Sequence, residues 1–168
     1  MARVATSVAV VAVVALAAAL TGCASAASTL NDATGQGLAA VQTAALVVEQ
    51  ELDDRTFPTT ATATLGDARR ELVAASTAAS ETDVTASSDA ELREAVLEAL
   101  DEGLRAVNDA RDAMAGLGSL EATLPSLEQA AEQLEDLEAQ ASTAAQTAAA
   151  STAGAGAEPS AGAEVGRA

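Results

Sequence analysis

Histidine, lysine, tryptophan and tyrosine are absent from the 168 residues, and phenylalanine and cysteine occur once each, at Phe57 and Cys23. Each absence excludes a class of chemistry. Without histidine there is no Ser/His/Asp or Cys/His relay and no imidazole metal ligand. A single thiol forms neither an internal disulfide nor a thiolate cluster. Nucleic acid is excluded as a partner: no aromatic platform exists on which bases could stack, and a formal charge of −17, from 8 basic and 25 acidic side chains, repels phosphate backbones. No nucleophile–base set can be assembled, so no catalytic residue, cofactor or metal site is expected. All the basic residues are Arg, and Ala dominates the 49% of residues that are hydrophobic. That bias suggests a GC-rich genome.

The N-terminal segment has the layout of an export signal. Met1-Ala2-Arg3 is a short positive start, and residues 4–20 (VATSVAVVAVVALAAAL) are uncharged and almost wholly apolar. The run is somewhat short for a membrane span, which takes about 20 apolar residues. Leu20-Thr21-Gly22-Cys23 follows. These four residues, placed after such a run, resemble the lipobox of bacterial lipoproteins. The resemblance covers residues 1–23 only, and the remainder resembles no family. It implies a diacylglyceryl group on the Cys23 thiol and cleavage between Gly22 and Cys23. It also implies a chain held at the extracytoplasmic face of the cell membrane, with the membrane as partner through that anchor. Buried acyl chains contribute about 0.8 kcal/mol per CH₂, and two or more chains anchor stably. Two other readings compete: secretion with cleavage after Ala24-Ser25-Ala26, and an uncleaved anchor helix. A lone thiol in an oxidising exterior favours lipidation.

The rest reads as helix, with no hairpin signals and no alternating β-branched runs. Apolar residues recur at alternating steps of three and four in four stretches. The first holds Leu38, Val41, Ala45, Val48 and Leu52. The second, with fewer bulky residues, holds Leu65, Ala68, Leu72, Ala75 and Ala79. The third holds Val96, Leu100, Gly103, Val107, Ala110, Met114 and Leu117, and the fourth Leu127, Ala130, Leu134, Leu137, Ala141, Ala144 and Ala148. Ser88-Asp89-Ala90-Glu91 and Ser126-Leu127-Glu128-Gln129 fit capping boxes. Thr56–Thr59, Glu81–Ser87, and Gly116 and Gly118 with Pro125 separate the stretches. The expected fold is all-α, an antiparallel helical bundle of about four helices or two helical hairpins. The expected division is 1–22 signal peptide, 23–29 tether, 30–150 helical ectodomain and 151–168 disordered low-complexity tail. Ala-rich seams bury little area, which leaves a thin bundle, or one completed by a partner or a second copy.

Acidic clusters are the remaining candidates. Glu94, Glu98 and Glu102 form one i, i+4 ladder, and Glu128, Glu132 and Asp136 another. On the heptads of their stretches both face away from the seam, so a solvated outer face accounts for them better than a Ca²⁺ or Mg²⁺ site. Asp89/Arg93, Asp101/Arg105 and Glu51/Arg55 are acid-before-base pairs worth about 0.2–0.5 kcal/mol each. Glu49, Glu51, Asp53 and Asp54 crowd a helix C-terminus, against the macrodipole, and mark a candidate contact surface or cation site. Arg69-Arg70 is expected to meet acidic faces within the bundle. Gly35 and Gly37 are expected to fray or kink a first turn. The functional expectation is a lipid-anchored, non-catalytic interaction or spacer protein, with a protein partner or self-association through the helix seams. The alternative is an accessory protein holding a small molecule within the bundle.

Overall fold

The computed structural model describes residues 25–155, so Gly22, Cys23 and residues 156–168 lie outside the described residues. Among the described residues there are four long helices and no strand: α1 Ala26–Leu52, α2 Pro58–Ser80, α3 Ser87–Met114 and α4 Leu124–Ala155, with a 3₁₀ turn at Glu121–Thr123 leading into α4. The fold is an all-α antiparallel bundle. Gln36 meets Glu71 and Gln129 meets Glu102, so each helix runs against its sequence neighbour. α1 also packs against α4 and, across the diagonal, against α3. One core therefore joins what could have been two separate hairpins. It runs continuously from Leu30 on α1 to Leu134 on α4.

The periodic stripes become that core. Leu65, Ala68, Leu72, Ala75 and Ala79, the stripe with few bulky residues, are all buried. Val96, Leu100, Val107, Leu127 and Leu134 are fully enclosed, whereas Leu52 and Leu117, the last members of their stripes, are exposed. Alanine makes up more than half of the buried apolar residues. Small side chains bring helix axes together, and the diagonal takes this furthest. A Cβ on Gly37 of α1 would lie 2.3 Å from Leu100 Cδ2 on α3, and one on Gly103 of α3 would lie 3.0 Å from Val41 Cγ2 on α1. Each glycine is the hole into which the opposite helix places a branched side chain. Thr34, also fully buried, satisfies its hydroxyl by donating to the Leu30 carbonyl at 2.8 Å, as helical threonines do.

Several boundaries differ from the sequence reading. Residues 26–29, expected as tether, form the first turn of α1; Ser25 caps it, its Oγ accepting from the Ser28 N–H at 3.2 Å. Ala27 and Leu30 are already buried. Small residues read as linker, but Ala is also the strongest helix former. Gly35 and Gly37 consequently sit inside a continuous helix rather than at a frayed start. At the other end α4 continues to Ala155, five residues into the expected tail. Neither capping box forms. α3 starts after Ala86, which makes no side-chain cap, and α4 is already helical at Leu124, so Ser88 and Ser126 fall within helices. Pro125 occupies the first turn of α4, where a missing N–H costs nothing.

Candidate functional site

The bundle has two unlike ends. The base holds Ser25, the α2–α3 loop and the last turns of α4. The tip holds the α1–α2 and α3–α4 connections. Cys23 lies outside the described residues, but only Ala24 separates it from the helix cap at Ser25. At the base the last turns of α4, residues 139–155, carry no charge, while the α2–α3 loop carries Glu81 and Asp83. Arg93 of α3 donates to the Thr82 carbonyl at 3.2 Å and ties the α2–α3 loop to the helix it enters. That interaction replaces the expected pairing with Asp89.

Both carboxylate ladders lie on the outside. Glu94, Glu98, Glu128, Glu132 and Asp136 are exposed, and Glu102 is half-buried beside Gln129 at 3.3 Å. The two ladders share one groove without closing into a cluster. Glu98, Glu102 and Asp136 line an open groove between α3 and α4, while Glu128 and Glu132 face Glu49 across the groove between α1 and α4. Among the described residues no group of three or more metal-ligating side chains is placed to hold an ion. Of the expected ion pairs, Asp101–Arg105 forms at 3.2 Å; Arg55 chooses Asp53, at 2.7 Å, over Glu51. Arg70 pairs with Asp67, three residues before it on the same helix, rather than with the face of another helix. These pairs are solvent-exposed and contribute roughly 0–1 kcal/mol each.

The tip departs from what local stability prefers. α1 ends in a Schellman turn, with Asp54 N–H bonded to Glu51 O and Arg55 N–H to Gln50 O. Its left-handed residue is Asp54, at φ 55°, a position glycine occupies at lower cost. α3 ends in the same motif with Gly116 at φ +84° and Leu117 N–H bonded to Asp112 O. The residue after the left-handed position normally packs back on the helix, but here the helix offers Asp112, and Leu117 is left 78% exposed. Phe57 occupies the N-cap of α2 and makes no capping bond. A Ser, Thr, Asp or Asn there would add about 0.5–2 kcal/mol. The only aromatic ring in the chain thus stands 77% exposed.

The helix ends and connections at the tip carry Glu49, Glu51, Asp53, Asp54, Asp109, Asp112 and Glu121, with Arg55 and Arg111 as the basic residues among them. Glu51 Oε2 and Arg111 Nε are each buried without a hydrogen-bond partner. The acidic run at the end of α1 is legible in the sequence. The exposure of Phe57 and Leu117 is not: Leu117 reads as the last member of an apolar stripe, and the one hint at Phe57 is an aromatic ring beside Pro58 at a helix start.

No protein-family model, curated protein or solved structure matches this chain.

Proposed function

We propose that the chain is a lipid-anchored cell-envelope protein whose helical bundle is a non-catalytic interaction or spacer module on the extracytoplasmic face of the membrane. The observation that carries this reading is Leu20-Thr21-Gly22-Cys23 at the end of an uncharged apolar run. Among the described residues no helix is long and apolar enough to cross a membrane; in this reading acyl chains on Cys23 make the attachment.

The start of α1 supports lipidation over simple secretion. Cleavage after Ala26 would remove Ser25 and its bond to the Ser28 N–H, which costs about 0.5–2 kcal/mol for a lost cap. Cleavage before Cys23 leaves the cap intact. With the anchor two residues from the helix, the bundle rises directly from the bilayer. Its 27-residue first helix carries the tip about 40 Å outward. Cleavage removes Arg3 and leaves seven arginines against 25 acidic side chains, an excess that favours solubility and separation from anionic headgroups. The grooves described lie open on the surface, and the interior is filled by Leu, Val and Ala, which favours this reading over one with a small molecule in the bundle.

Replacing Cys23 with Ser is the test. The variant is expected to leave the membrane fraction or to remain uncleaved, and the wild-type N-terminal peptide to carry diacylglyceryl on Cys23 by mass spectrometry. Unchanged fractionation of Cys23→Ser with normal cleavage overturns the reading.

A further inference from the structure

Large apolar side chains exposed among the described residues are unevenly distributed. Leu52, Phe57 and Leu117 stand at the tip and Leu46 is two turns below it, with Val73 elsewhere on α2. Leu52 and Leu117 end periodic stripes that otherwise turn inward. Phe57 holds a position where a capping residue would add stability. Rule-breaking choices concentrated at one end of an otherwise consistent fold mark function.

We propose that the tip is a docking surface for a basic segment of another protein, one that lays apolar side chains against exposed Phe57 and Leu117 and sets Lys or Arg against the carboxylates of the same helix ends. Charge decides the occupant. Seven carboxylates against two guanidiniums at this end repel a second copy of the same tip and an anionic lipid surface alike, while they draw in a cationic segment. The apolar groups supply the anchor, since buried aromatics dominate interface energetics, and the carboxylates supply selection. The inference rests on reading the bundle as an interaction module; it does not need the lipid.

The test uses the full chain in its native cells, with a photoreactive p-benzoylphenylalanine replacing Leu117, and with the same group at exposed Thr62 as a control on the flank. Crosslinked peptides are mapped by mass spectrometry. The expected product joins position 117 to a segment of net positive charge in a different protein. Its yield falls at least about tenfold in Phe57→Ser and falls comparably in Glu49→Lys/Asp112→Lys. Both backgrounds should fold, because Phe57→Ser supplies a helix cap and each Lys stands near a helix C-terminus. Crosslinking to a second copy, to lipid or to a neutral or acidic segment overturns the proposal. So does a yield at 117 no higher than at 62, or one unmoved by these substitutions. Membrane fractionation of the same cells reads the anchor separately, so loss of one conclusion is distinguishable from loss of the other.

Discussion

Glycine-to-alanine substitution at positions 37 and 66 separates helix propensity from packing within one protein. Both glycines lie inside helices, and in the absence of neighbours Ala is favoured by about 0.8–1 kcal/mol. A Cβ on Gly66 meets nothing within 4 Å, so Gly66→Ala should stabilise by about that amount. A Cβ on Gly37 would sit 2.3 Å from Leu100 Cδ2, with Leu72 Cδ2 at 3.7 Å. Carbon atoms pack at about 3.5–4.0 Å, so Leu100 must withdraw by more than 1 Å, and it is fully enclosed. Overpacking of this kind costs about 1–3 kcal/mol. Gly37→Ala should therefore lie about 1–3 kcal/mol below Gly66→Ala, a gap of roughly 4–12 °C in Tm for a domain of this size. Denaturant and thermal melts followed by helical circular dichroism provide the measurement. Leu100→Val in the Gly37→Ala background should recover part of the loss, with a coupling of about 1 kcal/mol in a double-mutant cycle. Equal stabilisation by the two alanines would refute the close α1–α3 diagonal.

Other outcomes follow from named residues. Phe57→Ser should raise stability by about 0.5–2 kcal/mol by capping α2; a lower denaturation midpoint would show that the ring packs on its own chain. Asp54→Gly should stabilise by about 0.5–1 kcal/mol, because the left-handed conformation is relieved and a negative charge leaves a helix C-terminus. Destabilisation would mean that the aspartate side chain holds the turn. Leu72→Ala should cost about 2–5 kcal/mol, and a loss under 1 kcal/mol would contradict its place in the core beside both diagonal glycines. Raising NaCl from low ionic strength to 0.15 M should raise Tm, since exposed like charges are screened; a fall in Tm would place net attraction among the surface charges.

The stripes of Leu and Val at 3.6-residue spacing made the bundle legible, including the Ala-rich stretch around Leu65 and Leu72. The ends of helices were less so. Ala-Ser-rich segments such as 26–29 and 151–155 read as linker or tail from composition, yet nothing in them opposes helix once a neighbour covers Ala27. Capping-box spacing at Ser88 and Ser126 places the helix starts two to three residues too late, since the helices begin at Ser87 and Leu124. Gly37 and Gly103 were visible only as interruptions: whether a glycine weakens a helix or admits another depends on what stands opposite it, which is a tertiary fact. The same holds at the tip, where the acidic run could be read but the exposure of Leu117 depended on Asp112 occupying the spot it would otherwise cover.

Because α1 begins and α4 finishes at the base, the far pole of the described residues consists of two bends, each closed by its own backbone hydrogen bonds. Their residues can be exchanged without cutting or re-threading the chain. The architecture is in effect a pedestal carrying a pair of interchangeable loops, and their sequences can be rewritten while the alanine interior stays as it is.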